Sequence, residues 1–320
     1  MKNNKSNLKG VILFVLVAAG FLLPLGVKDL YLLHIFITIF IWSVLTLGIR
    51  LVLVVGHLNA AQATFMGMGA YTSGILAIKL GWSFWIGLPI AGVVAAILAL
   101  AIGYPTLKIK GVYFVMVTFA LTEVFRHIWM MWTGLFGGPQ GLLGIPRPDA
   151  IKIGGLILAF TTKVPFYYLA LILLLITIVV MRRLDASRIG MTLRSIPQAD
   201  LLAECIGVNV IGYKVLAFVI GAFFAGLAGS FWGHYFTYAS PWDFTFANSI
   251  NMLIYAVMGG PSSVWGPIIG CFVMLTLDEI LRPIQQYMPI VLGAILISVL
   301  LFIPGGFITI PQRVRALLKR

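Results

Sequence analysis

The chain has 320 residues, of which 61% are hydrophobic and only 10% are charged. Soluble domains carry roughly 25% charged residues, so this composition excludes a soluble globular protein and indicates a polytopic helical membrane protein. The formal net charge is +13, but no lysine or arginine run is interleaved with aromatic residues. This argues against a nucleic-acid-binding surface and identifies the basic residues as signals of membrane topology.

Ten mainly apolar stretches follow one another along the chain, and a membrane-spanning helix needs about 20 such residues. We therefore predict an all-α fold with one transmembrane domain, residues 1–320, and about ten membrane-spanning helices, some of them interrupted by glycine. The third, eighth and ninth stretches are short or contain glycine breaks. The predicted spans are 10–27, 31–54, 62–80, 84–104, 112–132, 165–181, 214–236, 245–261, 264–282 and 287–303.

The distribution of lysine and arginine predicts an orientation. If both termini face the cytoplasm, the loops predicted to lie inside carry about twice as many basic residues as the outer loops, which is the bias found in membrane proteins. We therefore predict a multi-pass protein of a bacterial-type cytoplasmic (inner) membrane, with both termini in the cytoplasm.

Residues 56–71, the broken segment, interrupt the apolar pattern with several glycines. The segment carries His57, Asn59 and Gln62 and ends at Tyr71. Irregular backbone at membrane depth persists only where protein or a water-filled cavity satisfies its polar groups, and interrupted helices mark transport sites in several transporter folds. We predict that these four residues lie near a solute pathway. Close helix packing through the small residues is the alternative.

The fifth predicted span contains three charged or titratable residues at helical spacing, Glu123, Arg126 and His127. Residues three and four positions apart share a helix face, so Arg126 and His127 can both meet Glu123. A charge at mid-bilayer costs about 2.5–3.5 kcal/mol on insertion scales, so Glu123 is expected to face the protein interior. It is either a pathway residue or one half of a structural ion pair.

Residues 133–164 are predicted to form an external loop. This stretch is rich in glycine and proline, which favour turns. The loop either contacts an external donor protein or simply connects two spans.

The longest polar stretch between two apolar runs, residues 182–213, is predicted to be a cytoplasmic coupling segment. Pro197 can open a helix in it, and Gly207 with Asn209 supplies the helix stop. The hypothesis is that a soluble partner docks here and drives work in the membrane. The alternative is a solvated loop that only carries positive-inside charge. The charged residues of the segment, with the lysine that follows it, are Arg182, Arg183, Asp185, Arg188, Arg194, Asp200, Glu204 and Lys214.

The seventh predicted span carries small residues at every fourth position, Gly221, Ala225 and Gly229. This pattern lets helix backbones approach closely in a membrane, so we predict a helix-packing face. A second stretch rich in glycine and proline, residues 259–267, weakly resembles the broken segment and suggests an internal repeat.

Motifs for catalysis are missing from the sequence. It has neither a nucleotide-binding loop of the form G-x-x-x-x-G-K-[ST] nor a G-x-S-x-G motif. Its histidines and cysteines lack metal-ligand spacing. We therefore predict a transport subunit rather than an enzyme, with no catalytic residue, metal site or cofactor of its own. Uphill transport would draw its energy from an ion gradient or from a separate ATPase.

Several blocks of the sequence resemble one family. Residues 190–218, GMTLRSIPQADLLAECIGVNVIGYKVLAF, are similar to the ATPase-docking loop of the M-type (LivM-like) permease subunits of branched-chain amino acid ABC importers. The other similar blocks are 56–71, 110–123, 137–146, 240–241 and 259–267. Four residues depart from the usual family pattern: His57, Asn59, Gln62 and Pro197. The three departures in the broken segment leave the solute open.

The resemblance implies a type II ABC-importer-like fold and a permease for branched-chain or related amino acids. A homologous second permease would share the solute pathway, and an extracytoplasmic solute-binding protein would deliver the solute. Two cytoplasmic ATPase subunits would bind ATP and Mg²⁺. The pathway candidates then include Tyr113 and Glu123. The residues implied in ATPase coupling are Gly190, Arg194, Asp200, Glu204, Gly207, Asn209 and Lys214.

Two other functions stay open. An ion-coupled secondary transporter or channel needs a titratable residue inside the membrane, and Glu123 is one. An ABC permease for urea, amides or another small solute would share the coupling segment. The coupling segment discriminates between these alternatives, because a secondary carrier has no need of it.

Overall fold

The structure is a computed structural model that describes residues 20, 21, 23, 24, 29–153, 156–158, 160–198, 200–205, 207–303 and 305–309. The first predicted span, 10–27, lies largely outside these residues and stays a prediction. Most of both termini lies outside them as well, so their cytoplasmic placement also stays a prediction.

Twelve α-helices form within the described residues. Nine of them are long, and the other three are short connecting helices. The long helices are α1 (Leu30–Val54), α2 (Gln62–Leu80), α3 (Phe84–Thr106), α4 (Val112–Met131), α6 (Lys163–Ala186), α9 (Val210–Phe236), α10 (Phe246–Gly259), α11 (Trp265–Ile280) and α12 (Met288–Phe302). The short helices are α5 (Thr133–Phe136), α7 (Arg188–Ser195) and α8 (Asp200–Cys205).

The nine long helices coincide with the second to tenth predicted spans, from 31–54 to 287–303. Five of them, α1, α3, α4, α6 and α9, are long and apolar enough to cross a membrane, by length and composition. Helices α10, α11 and α12 have only 14, 16 and 15 residues. At about 1.5 Å per residue they are shorter than a bilayer core of about 30 Å. The all-α membrane fold is confirmed, and the number of ten crossings stays a prediction.

Helix α9 is central in the fold and packs against α1, α2 and α3. Its small residues allow the close approach. A Cβ built on Gly221 would lie 2.7 Å from the carbonyl oxygen of Gly48 in α1, and a Cβ on Gly229 would overlap the carbonyl oxygen of Met66 in α2. Ala225, between the two glycines, is fully buried. The helices therefore meet backbone to backbone along this face of α9.

Replacing Gly229 by alanine is expected to destabilise the protein by about 1–3 kcal/mol, because the added methyl group overpacks the contact with α2. Gly233, one turn further along α9, supplies a matched control. A Cβ on Gly233 would have its nearest neighbour at 3.4 Å, an ordinary contact, so Gly233→Ala is expected to change stability by less than about 1 kcal/mol. Thermal unfolding of both variants in detergent measures the difference. Equal unfolding temperatures would contradict the tight contact at Gly229.

The predicted external loop, 133–164, contains regular structure. After α5, a 3₁₀ turn, Gly138–Gln140, leads to strand β1 (Leu142–Leu143), which pairs antiparallel with β4 (Tyr238–Ala239). Strands β2 (Ile151–Ile153) and β3 (Leu156–Leu158) form a second antiparallel pair. Helix α6 begins inside the predicted loop range, at Lys163.

Gly141 is required by this pairing. It adopts a φ of 75°, which favours glycine, and a Cβ at this position would overlap the carbonyl oxygen of Ala239 on the partner strand. Glycine at this position therefore allows the segments that hold β1 and β4 to approach each other closely at one end of the helices.

The helix ends lie on two opposite sides of the structure, and contacts between helix ends occur on each side. On one side, Lys79 Nζ donates to the carbonyl oxygen of Gly134 at 2.8 Å. On the other side, Arg50 near the end of α1 contacts Asp185 near the end of α6. We call the side that carries residues 182–213 the inner end and the opposite side the outer end.

Candidate functional site

The coupling segment begins as the continuation of a membrane helix. Arg182 and Arg183 lie in the last turns of α6 rather than in a loop. Ser187 then caps α7, and its Oγ accepts a hydrogen bond from the N–H of Gly190 at 3.3 Å. A Cβ on Gly190 would overlap the carbonyl oxygen of Leu184. Glycine is therefore needed where the chain turns sharply from α6 into α7.

The second half of the segment holds a shorter helix than the sequence predicts. The prediction opens a helix at Pro197, whereas the structure places this proline in a 3₁₀ turn, Ile196–Gln198, and begins α8 only at Asp200. Proline lacks the N–H that would extend a regular helix from α7, so the chain bends here. The side chain of Asp200 lies outside the described residues. The side chain of Glu204 is exposed, and α8 presents its carboxylate to solvent.

The predicted helix stop after α8 is confirmed at Gly207. This residue has a φ of 82°, and its N–H donates to the carbonyl oxygen of Glu204 at 3.0 Å. Asn209 acts differently from the prediction, because it begins the next helix instead of ending this one. Its side-chain oxygen accepts the N–H of Gly212 at 2.9 Å and caps the start of α9.

Two basic residues predicted for ATPase coupling differ sharply in exposure. The side chain of Arg194, in α7, is 49% exposed. Lys214 lies in the second turn of α9 and is only 3% exposed. Burial keeps Lys214 away from the surface on which a soluble partner would dock, so only Arg194 of the two is open to such a partner in this conformation.

A buried arginine near the inner end of α1, Arg50, organises a cluster of charges. Its guanidinium donates to both carboxylate oxygens of Asp185, at 2.6 and 3.3 Å, and its Nε donates to the carbonyl oxygen of Pro261 at 2.9 Å. Arg194 binds the same carboxylate at 2.8 Å. Asp185 therefore joins α1, the end of α6 and α7, and Arg50 extends the cluster to the turn between α10 and α11.

Sequence reasoning does not single out Arg50 or its pairing with Asp185. The available signal is an arginine within an apolar span, because a charged residue at that place needs a counter-ion or water. The choice of partner is not visible in the sequence, since Asp185 lies 135 positions away along the chain.

A second contact links the coupling segment to the broken segment. Gly56 has a φ of 83°, and a Cβ built on it would lie 3.3 Å from the Cβ of Pro197. The 3₁₀ turn of the coupling segment thus rests directly on the connection between α1 and α2. A side chain at position 56 would push against this turn.

The amide side chains of the broken segment bond to the protein itself. Asn59 Oδ1 accepts the N–H of Ala61 at 2.9 Å, and Asn59 Nδ2 donates to Gln62 Oε1 at 3.2 Å. Gln62 Nε2 donates to the carbonyl oxygens of Leu45 at 3.1 Å and Gly221 at 3.4 Å. Both side chains are almost completely buried. They hold α1, α2 and α9 together, and their place in a solute pathway stays a prediction.

Side chains of neighbouring helices complete the hydrogen bonding at the break. Thr118 Oγ1 accepts the N–H of Ala60 at 3.4 Å, and Thr122 Oγ1 donates to the carbonyl oxygen of Ala60 at 3.2 Å. Ser249 Oγ, in α10, accepts the N–H of Ala63 at 2.9 Å. Side-chain hydroxyl groups of the protein therefore satisfy the backbone groups of Ala60 and Ala63, in line with the need for such partners at membrane depth.

The two other candidates of the broken segment lie among aromatic rings. His57 is 6% exposed, and its ring centroid lies 5.0 Å from that of Phe114. Tyr71 is 1% exposed and lies 4.9 Å from the ring centroid of Trp129. This geometry favours a packing role for His57 and Tyr71. Their place near a solute pathway stays a prediction.

The structure places the remaining pathway candidates, Tyr113 and Glu123, on a different surface, the exposed face of α4. Tyr113 is 71% exposed. Glu123 Oε2 accepts a hydrogen bond from Arg126 Nε at 2.7 Å, and both side chains are partly exposed. Of the predicted trio, Glu123 and Arg126 form the ion pair, while His127 is exposed beside them.

The exposed face of α4 carries an ion pair, Glu123 and Arg126, about halfway along the helix. Glu123 lies 11 residues after Val112, which is about 16 Å along the helix and near the middle of a bilayer core of about 30 Å. A charge at this depth costs about 2.5–3.5 kcal/mol, so protein or water is expected to cover this face. The exposed residues on it are Tyr113, Met116, Ala120, Val124, His127 and Met131.

Comparison with known proteins gives a consistent picture. A family profile described as "Branched-chain amino acid transport system / permease component" matches residues 31–303. The chain is 30% identical over 293 residues to the high-affinity branched-chain amino acid transport system permease protein LivM of Escherichia coli (strain K12), a match that covers 85% of this chain and 69% of that protein.

Shorter matches extend to other permeases. The chain is 32% identical over 129 residues to LivH of Escherichia coli (strain K12), covering 39% of this chain and 41% of that protein. It is 28% identical over 151 residues to BraD of Pseudomonas aeruginosa, covering 45% and 49%. Both are described as high-affinity branched-chain amino acid transport system permease proteins. No solved structure matches the chain.

Proposed function

The chain belongs to the family of branched-chain amino acid transport system permease components, and from this premise we propose that it is the membrane permease subunit of an ATP-driven importer for branched-chain or related amino acids. The observation that carries the proposal is the family match over residues 31–303, which runs from α1 to α12. The relatives are transport permeases rather than enzymes, and ATP hydrolysis is assigned to separate subunits.

The exposed face of α4 is the surface proposed to meet a second, homologous permease. This face carries the ion pair of Glu123 and Arg126 at about mid-membrane depth, where contact with lipid is costly. Two permeases that place such faces towards each other would enclose a passage between them. Tyr113 and Glu123 would then line the passage, with the solute moving along the gap between the subunits rather than through the packed core around Asn59.

The coupling segment is the surface proposed for the ATPase. α7 and α8 project the exposed groups of Arg194 and Glu204 from the inner end, and the segment contacts the ends of α1 and α6 directly. The loops at the outer end, including β1 and β4, are the surface on which an extracytoplasmic binding protein would deliver the solute. ATP binding would shift the transporter between its inward-open and outward-open states, because the partners bind these two states with different affinities.

The first experiment is an affinity purification of the tagged permease from its native membrane, followed by mass spectrometry and by uptake of labelled leucine into reconstituted vesicles. The expected result is a complex with a second permease and an ATPase. Uptake into the vesicles is expected to require ATP in the vesicle lumen, on the side of the membrane that carries the ATPase. Recovery of the chain alone, with uptake driven by a proton gradient without ATP, would support an ion-coupled carrier instead.

The variant Glu123→Gln is expected to lower leucine uptake by about twofold to fivefold while the protein still folds, because it removes a partly exposed ion pair with modest energy. Glu279→Gln is the matched control, since Glu279 pairs with Arg282 at the same i, i+3 spacing outside α4. The control is expected to keep normal uptake. A folded but inactive Glu123→Gln protein would show that solute movement requires the charge of Glu123, and that its role is more than the ion pair with Arg126.

A further inference from the structure

The ionic cluster at the inner end joins an exposed part of the coupling segment to the interior of the fold. Two arginines share one oxygen of Asp185: Arg50 reaches Oδ2 at 2.6 Å and Arg194 reaches it at 2.8 Å. Arg50 is fully buried, whereas the side chain of Arg194 is 49% exposed. The same carboxylate therefore takes part in one interior contact and one surface contact.

The two contacts differ in permanence. A buried charge cannot lose its partner without a large penalty, so the pair of Arg50 and Asp185 is a fixed connection. A half-exposed pair is weakened by water and salt, so Arg194 can leave the carboxylate at little cost. The structure shows Arg194 bound to Asp185, and release of Arg194 would leave the pair of Arg50 and Asp185 in place.

The fixed part of the cluster connects α1 to the turn between α10 and α11. Arg50 belongs to α1 and donates to the carbonyl oxygen of Pro261, in the turn between α10 and α11. The coupling segment makes a second contact just after α1, where Pro197 lies against Gly56 in the connection between α1 and α2. A displacement of the segment would therefore reach α1 and the turn between α10 and α11 through Arg50, and the connection after α1 through Gly56.

We propose that Asp185 is a positioning residue, and that the contact between Arg194 and Asp185 transmits movement of the coupling segment to α1 and to the turn between α10 and α11. This inference rests on the proposed function, because it requires an ATPase that moves the segment. Arg194 has a structural partner inside the chain, and this role is separate from any direct contact that it makes with the ATPase.

The test uses the complete transporter in vesicles and measures leucine uptake and ATP hydrolysis in the same samples. Arg194→Gln is expected to fold, and the number of leucine molecules taken up per ATP hydrolysed is expected to fall by at least about threefold. Arg194→Lys is expected to restore most of this ratio, because lysine keeps the ion pair with Asp185. A loss of folding alone would not change the ratio.

Arg188→Gln is the matched control. Arg188 is exposed on the same helix, α7, and the variant removes the same charge without touching Asp185. An unchanged ratio in Arg194→Gln, or an equal fall in Arg188→Gln, would overturn the inference while wild-type uptake still required ATP. Absence of ATP-dependent uptake in the wild-type transporter would instead contradict the proposed function itself.

Discussion

Reversing the charge of Glu204, in the variant Glu204→Arg, is expected to lower ATP-driven uptake by at least about tenfold while the permease still inserts and folds. The side chain is exposed on α8, and surface substitutions usually change stability by less than about 0.5 kcal/mol. A charge placed against a like charge at an interface costs several kcal/mol, and each 1.4 kcal/mol is about a tenfold loss of affinity. Copurification of the ATPase with the tagged permease measures the effect.

Asp149→Arg supplies the control for this variant. Asp149 is also an exposed acidic residue, but it lies in the loop at the outer end, so the same reversal of charge is made away from the surface proposed for the ATPase. Copurification of the ATPase is expected to stay normal in this control. If Glu204→Arg retained both the ATPase and uptake, Glu204 would have no part in docking, and the exposed surface of the coupling segment would have to act through α7 instead.

The long helices could be predicted from the sequence because their signal is local. Apolar composition over about 20 residues requires a helix at each place, since the bilayer offers no other partner for backbone N–H and C=O groups. The helix stop at Gly207 is local in the same way, because a positive φ favours glycine. The bounds of α10, α11 and α12 also agree with the predicted spans to within two residues at each end.

The functional surfaces could be predicted only in part, because burial depends on the whole fold. Asn59 and Gln62 are polar residues in a broken apolar stretch, which is as compatible with hydrogen bonds to neighbouring helices as with a solute pathway. Lys214 follows a polar segment, yet α9 carries it into the interior. The sequence shows that α4 carries a charged residue, Glu123. It does not show that this residue lies on the face of α4 that points away from the core.

The pairing of charges shows the same limit most clearly. Asp185 lies in a polar segment with several basic residues nearby, and the sequence offers no reason to prefer a partner in α1. The structure chooses Arg50 because the end of α6 packs beside the end of α1, and an unpaired guanidinium could not be buried there. Arg50 interrupts the apolar pattern of its span, and in the structure it connects α1 to α6 at the inner end.

The variant Asp185→Asn is expected to destabilise the permease by about 3–5 kcal/mol, because it leaves the buried guanidinium of Arg50 without a counter-ion. Arg50 would keep its bond to the carbonyl oxygen of Pro261, but a neutral amide cannot balance its charge. Thermal unfolding and monodispersity in detergent measure the loss. Glu279→Gln breaks a more exposed ion pair and is expected to cost less than about 1 kcal/mol.

A double variant separates the loss of a contact from the presence of an unpaired charge. Arg50→Met combined with Asp185→Asn removes the buried charge as well, and apolar replacements of buried ion pairs are often neutral or stabilising. The double variant is therefore expected to be more stable than Asp185→Asn alone, although Arg194 has lost its partner in both. If the double variant were the less stable of the two, the contacts of Arg50 with the surrounding helices, rather than its charge balance with Asp185, would hold the inner end together.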